Sequence, residues 1–316
     1  MYGIKKIFNA GIFQGKHRTS HYFEGWYFKL IDQSMGHAVA IIPGISIGND
    51  RRDAHAFIQV LFSEEEAYYF RFDIKEFSYS EDKFAIKIRE NYFSGDGIRL
   101  ALHGGGIHIQ GSLKFVNILE LPKTLFMPGI MGPYSYLPFM ECYHGIINIH
   151  HDILGSLTIM GKPVDFTDGY GYIEKDWGRS FPKTWVWLQS NHFGRKDATI
   201  MFSSAKIPWL GRTFYGFISF LRIKERIYVF ATYTKAKLKK LDYDDQNLTA
   251  MIEDRNYRLE INVTNQGGGI LLAPREGRME RKISESISAL VSVRFMDKKG
   301  KIIFYGKGSH AGLEIV

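Results

Sequence analysis

A single cysteine, Cys142, stands in 316 residues, so no internal disulfide can form and nothing demands an oxidising compartment. No stretch approaches the ~20 apolar residues of a membrane-spanning helix. The opening MYGIKKIFNAGIFQG lacks the continuous apolar run of a secretory signal. A soluble, cytoplasmic protein is the expectation. Acids are also in deficit, with 33 Asp and Glu against 41 Lys and Arg and a net charge of +8. Such a balance can attract nucleic acid, an anionic membrane surface or acidic ligands. The bases are scattered, with modest clusters at Lys235/Lys237/Lys239/Lys240 and Arg275/Arg278/Arg281/Lys282. No nucleic-acid recognition motif accompanies them, so no nucleic-acid partner is expected. Peripheral contact with a membrane surface stays open beside a plain basic surface. Helical periodicity is scarce as well, confined to Glu276–Leu290, where a strand pair would serve equally.

Aromatic residues are abundant at 15%, including 18 tyrosines and 24 phenylalanines, which favour strands and suit large apolar cavities. FAIKIRE, IRLAL, IHIQGSLKF and YRLEINVTN alternate apolar and polar positions. SGDG, HGGG, NQGGG and DKKG punctuate them as turns. The chain reads as all-β with antiparallel sheets. A faint repeat aligns GWYFKL with TWVWLQ, HAFIQVLF with YGFISFL, and YYFRFDIKEFSY with IYVFATYTKAKL, and then FAIKI with YRLEI and GIRLA with GILLA. Two similar β-barrel or sandwich halves are expected, residues 1–160 and 161–316, joined by the proline-rich Leu121–Gly145. A closed barrel removes edge strands and leaves a mouth for one ligand.

Three segments carry acids among aromatics. In HYFEGWYFKLI, taken as a strand, Tyr22, Glu24, Trp26, Phe28 and Leu30 share one face. A buried carboxyl there either pairs with a cation or has its pKa raised by an apolar site. In KTWVWLQSNHF, Trp185, Trp187, Gln189, Asn191 and Phe193 share a face that resembles a cavity wall, with Val186 and Leu188 packing behind. Upstream, Tyr172, Glu174 and Asp176 share a face, and Asp176-Trp177-Gly178 suggests a turn at a rim. Glu174, Lys175, Asp176 and Arg179 could equally form a salt-bridge cluster tying the loop down. The third segment, Gly132–Gly145, holds Glu141, Tyr143 and His144. His144, His150 and His151 match no established ligand spacing, so no metal is expected. Cys142 and His144 are expected to point to opposite faces, which excludes a thiol dyad.

YFEGWYF at Tyr22–Phe28 and YIEKDWGRSFPKTWVWLQSNHF at Tyr172–Phe193 resemble the tocopherol cyclase family. The corresponding patterns run F-[FY]-E-G-W-Y-F and Y-x-E-K-[ND]-W-G-x-x-F-P-x-x-W-x-W-x-Q. LLAPRE and GSHAGLEI look like the family's late signatures. The resemblance implies paired lipocalin-like β-barrel domains and an enzyme that closes a prenylated hydroquinone to a chromanol without a cofactor. That reaction protonates a trisubstituted double bond, and the phenol oxygen captures the tertiary cation. It needs a carboxyl that stays protonated, shelter from water, tryptophan faces toward the cation and a partner for the phenol. Asp176 is the leading general acid, with Glu24 second and Glu174 in support. Tyr22, Trp26, Trp177, Trp185 and Trp187 would bind the prenyl substrate. Gln189, Asn191, Glu141 and His144 would address its head. A lipocalin-like carrier of an isoprenoid and an isoprenoid hydratase are the competing expectations.

Overall fold

The computed structural model describes residues 2–62, 66–138, 140–209 and 212–316. They form two compact units. One takes the chain up to Phe62, Glu66–Phe181 and Leu271–Lys282; the other takes Pro182–Ile270 and Ile283–Val316. The division expected at residue 160 therefore falls after Phe181.

The first unit begins with a short helix, α1 (Tyr2–Phe8), which its seven residues were too few to announce by periodicity. Twelve strands follow: β1 (Tyr22–Ile31), β2 (Ala38–Ile47), β3 (Ala54–Phe62), β4 (Ala67–Asp73), β5 (Phe77–Tyr79), β6 (Ala85–Ile88), β7 (Asn91–Ser94), β8 (Gly97–Gly104), β9 (Ile107–Leu119), β10 (Cys142–Ile159), β11 (Lys162–Asp165) and β12 (Tyr170–Gly178). They pair in the order β4-β3-β2-β1-β12-β10-β9-β8-β7-β6-β5, with β11 beside β10. The proline-rich stretch expected to cross between halves instead joins β9 to β10 within this unit.

The two ends of that order, β4 and β5, are consecutive in the chain. Only the 3-10 turn Ile74–Glu76 separates them. A sheet whose opposite edges are tied by three residues must curl until those edges meet. The twist of its strands supplies the curl, and the result is a nearly closed barrel. Its interior is filled by alternate residues, among them Trp26, Phe28, Leu30, Ile41, Ile58, Phe93 and Ile173. Such period-two burial is what made the strands legible.

The second sheet repeats the scheme, although Leu271–Lys282 of its β20 and β21 belong to the first unit. Its strands are β13 (Trp185–Ser190), β14 (Ala198–Trp209), β15 (Arg212–Ile223), β16 (Arg226–Ala231), β17 (Lys237–Tyr243), β18 (Asn247–Glu253), β19 (Tyr257–Thr264), β20 (Gly269–Arg275), β21 (Arg278–Asp297) and β22 (Ile302–Ile315). They run β16-β15-β14-β13-β22-β21-β19-β18-β17, with β20 beside β21. In each unit the last strand returns to pair with the first, and a 3-10 turn (Thr232–Thr234 here) links the outermost strands. The first three repeat matches fall on equivalent strands. The last two do not, since YRLEI lies on β19 and GILLA on β20, off the main path. The helical pattern at Glu276–Leu290 gives no helix; Arg278–Asp297 is one strand of 20 residues. Among the described residues, no helix is long and apolar enough to cross a membrane.

The turn that ties the first barrel's edges is capped at both ends of a reciprocal pair. The Asp73 carboxylate accepts from Lys75 N at 2.9 Å, and Glu76 accepts from Asp73 N at 3.2 Å. Asp73→Ala should lower the unfolding free energy by about 1 kcal/mol in urea titrations.

Candidate active site

The barrel's first and last strands carry two of the acidic segments, and the ladder between them decides where each acid points. Glu24 is opposite Trp177, Gly25 opposite Asp176, Trp26 opposite Lys175 and Tyr27 opposite Glu174. Paired residues share a face. Glu24, Trp26, Lys175 and Trp177 therefore point into the barrel, and Tyr172, Glu174 and Asp176 point out of it. The three carboxylates expected in one site are split between the two faces of one sheet.

Inside, Glu24 and Lys175 are both fully buried and their charges meet at 2.5 Å. The Glu24 carboxylate also accepts from Gln14 N at 2.8 Å, Gly15 N at 2.9 Å and Tyr22 Oη at 2.6 Å. Lys175 donates to the carbonyls of Ala10 at 2.7 Å and Ile12 at 2.8 Å. Its ammonium lies 4.6 Å from the Trp26 ring centre and 4.9 Å from that of Trp177. Trp26 Nε1 donates to Gly11 O at 2.9 Å. Together these bonds pin residues 10–15 across one end of the barrel. Burial draws Lys175 down to about 8 despite the opposing pull of Glu24, and burial holds the Tyr22 phenol well above its usual range. The Glu24 carboxylate is thus saturated with donors, an anchor where a proton donor was expected. Tyr22 and Trp26 are anchored likewise: Tyr22 bonds to Glu24, and Trp26 stacks on Phe84 at 5.9 Å and 5°.

Outside, β10 completes the arrangement, with His144 opposite Asp176 and Ile146 opposite Glu174. The His144 ring lies between two carboxylates. Nδ1 is 2.9 Å from Asp176 Oδ1, and Nε2 is 3.4 Å from Glu174 Oε2. Tyr172 Oη donates to the same Glu174 oxygen at 2.6 Å. Burial, with Glu174 adding to it, raises the Tyr172 phenol well above its usual range, so it remains a donor. Side-chain exposure climbs along this chain, from 5% at Glu174 through 13% at His144 to 23% at Asp176. Gly25, opposite Asp176, is packed at ordinary contact distance, since a Cβ there would meet Ile42 at 3.7 Å and Phe57 at 3.8 Å. Tyr27 and Phe57, both buried, belong to the same face.

Among the described residues, the donor atoms of His144, Glu174 and Asp176 lie within 4.8 Å of one another, close enough to hold a cation. The two carboxylates, however, address opposite nitrogens of one ring. That geometry suits a proton relay through the ring better than a chelate, in which one nitrogen would share an ion with both acids. His150 and His151 lie elsewhere: His150 is 3.5 Å from Asp152, and His151 is buried with Nδ1 2.9 Å from Asn148 Oδ1.

Two expectations fail on strand geometry. Cys142 and His144 are two residues apart, so they share a face, and Cys142 Sγ reaches Asp176 Oδ1 at 3.9 Å. Asp176 and Trp177 form no turn. Both continue β12, with Trp177 stacked on Tyr143 at 5.4 Å. Glu141 contributes its carbonyl, which accepts from Arg179 N at 2.8 Å. Trp185, Trp187 and Gln189 lie on β13 and Asn191 just past it, all buried and all in the second unit. There Val186 and Leu188 pack into the core as expected. Reading from sequence missed Lys175 as the partner of Glu24. It also missed Glu314, which lies opposite both Trp187 and Glu285.

The pattern of the family described as tocopherol cyclase-like matches residues 126–316. The chain belongs to the tocopherol cyclase-like family. Solved structures agree on the fold. CghA with Sch210972 is 8% identical, with a TM-score of 0.57, over 93% of this chain and 88% of that one. An AttH-like protein from Nitrosomonas europaea is 13% identical, with a TM-score of 0.54, over 92% of each chain. Kievitone hydratase from Nectria haematococca is 9% identical, with a TM-score of 0.53, over 93% and 88%. In this member of the family the N-terminal YFEGWYF segment lies outside the matched residues, yet it supplies β1 and the anchor carboxylate.

Two outcomes follow from the buried charges. Lys175→Met alone should cost about 3–5 kcal/mol of unfolding free energy, because it leaves Glu24 buried without its cation. The double variant with Glu24→Gln should cost clearly less than the two single changes summed, as read from urea midpoints. Burial also draws His151 down to about 3. As pH falls below about 6.5 the unfolded chain takes that proton and the native one does not, so stability is full above 6.5 and declines toward 3, by up to about 1.4 kcal/mol per pH unit. The same titration on His151→Gln should show a shallower decline.

Proposed function

We propose that this protein is an acid-catalysed cyclase that closes a prenylated hydroquinone, or a similar phenolic isoprenoid, to a chromanol-type ring. One observation carries the reading. The chain Tyr172–Glu174–His144–Asp176 is buried at its tyrosine end and most exposed at Asp176, so a proton held there can leave to a ligand at that end.

In this scheme Asp176 delivers a proton to one carbon of a trisubstituted double bond. The neighbouring tertiary carbon becomes a cation, and the substrate's phenol oxygen bonds to it. The phenol proton then returns to the Asp176–His144 pair, so substrate and product are isomers and the site is restored. His144 supplies the mobile proton, because Nδ1 is hydrogen-bonded to Asp176 and Nε2 lies within ion-pair distance of Glu174. Glu174, steadied by the Tyr172 hydroxyl, fixes the ring. The apolar side chains of Tyr27 and Phe57, on the same face as Asp176, would lie against the chain near the acid and keep water out. Glu24 holds the sheet in place and does not react. Membership of the tocopherol cyclase-like family supports the same chemistry; the ring and tail of the substrate are part of the proposal.

The test is incubation with methylated hydroquinones bearing phytyl or geranylgeranyl tails in D2O with detergent and reductant, followed by mass spectrometry. Chromanol carrying one carbon-bound deuterium is expected, with the rate of Asp176→Asn down by at least ~100-fold. A product heavier by one water would make the protein a hydratase. Unchanged quinol that quenches tryptophan fluorescence in wild type and variant alike would make it a carrier.

A further inference from the structure

The first unit has a second feature, which shares with the relay only the lining residue His144. A cavity of about 290 Å³ opens beside α1 and the loop between β9 and β10. Tyr22, Tyr143 and Trp177 contribute to its walls. Lys6, Arg18 and Lys123 line it, and no Asp or Glu does. Arg18 lies over the Tyr22 ring, 5.4 Å from its centre. Lys123 reaches Glu120 at 2.7 Å on the exposed side.

The loop beyond this cavity ends in a tight turn. Thr124 and Met127 exchange backbone hydrogen bonds at 2.9 and 3.1 Å, which leaves Leu125 and Phe126 at the tip. These are the most exposed large apolar side chains among the described residues, at 78% and 84%. The centre of a tight turn ordinarily carries Gly, Asn, Asp or Pro, which meet its backbone demands. Two bulky apolar groups gain nothing there from water. The turn is nevertheless held firmly: Tyr136 Oη donates to Leu125 O at 2.6 Å, Met127 N donates to Thr124 Oγ1 at 3.1 Å, and Pro122 and Pro128 flank it.

We propose that residues 121–138 dock the protein on an anionic lipid bilayer, with Leu125 and Phe126 entering the acyl region and the Lys6, Arg18 and Lys123 cavity meeting headgroup phosphates. An apolar tip flanked by cations matches the layering of such an interface, apolar inside and anionic at the rim. A second protein copy fits poorly, since a stable pair needs roughly 800 Å² per partner and good complementarity, whereas the apolar tip is two side chains on a turn. The proposal does not rest on the cyclase reading.

Flotation of the full chain with vesicles tests it. Wild type should float with vesicles of phosphatidylcholine mixed with phosphatidylglycerol, less with phosphatidylcholine alone, and less again in high salt. Leu125→Ser/Phe126→Ser, with an unchanged circular dichroism spectrum, should bind at least about tenfold more weakly. Arg18→Glu should lose only the extra affinity for the anionic vesicles. Failure of wild type to float, or equal binding by the double variant, would overturn the proposal. A dimer in light scattering that the double variant dissolves, without vesicle binding, would overturn it in favour of a second copy.

Discussion

The pairing of β1 with β12 is the constraint on which the rest depends. In that register Trp26 faces Lys175 across the ladder and Gly25 faces Asp176. A slip of one residue would reverse every side chain of one strand, driving Asp176 into the core and Lys175 out of it. The buried Glu24–Lys175 pair opposes such a slip, because only the observed register lets the ammonium reach both the carboxylate and the carbonyls of Ala10 and Ile12. Buried ion pairs contribute little net stability, and their clearest use is to specify one arrangement over others. Here the pair specifies register, and it also fastens the N-terminal segment over the barrel end.

Chemistry on the outer face is inherited from that register. Once Lys175 points inward, its neighbours Glu174 and Asp176 must point outward, and β10 brings His144 between them. The three side chains need no loop to position them. All sit on paired strands, where rigid backbone holds hydrogen-bonding geometry more tightly than a mobile rim would. Gly25 lies across the ladder from the most exposed member of the relay, under the Phe57 ring. Anchor and relay are therefore the two faces of the same few residues.

Much of this was legible in the sequence because burial in a sheet has a period of two. The shared faces of Tyr22, Glu24 and Trp26, and of Tyr172, Glu174 and Asp176, were readable from spacing, as were the turns and the repeat of the first strands. Spacing within one strand, however, carries no information about its neighbour. That the Glu24 face and the Asp176 face are opposite sides of one sheet depends on which strands pair, and this is a non-local fact. Lys175 was hidden for the same reason: flanked by two acids, it reads as a surface cation until Trp26 and Glu24 are placed across from it. Asp176-Trp177-Gly178 carries turn-type residues but continues as strand, because pairing on both sides outweighs local preference. Cys142 and His144, two residues apart in β10, share a face by the same period of two.

The central claim is that His144, between two carboxylates, holds the proton that Asp176 delivers. Nitrogen-15 NMR of the histidine-labelled protein at neutral pH tests this directly, with His144→Gln assigning the signal. Two protonated ring nitrogens are expected for His144, with the doubly protonated form lost in Asp176→Asn. A neutral ring with one bare nitrogen in the wild-type protein would contradict the relay and return the proton source to an open question.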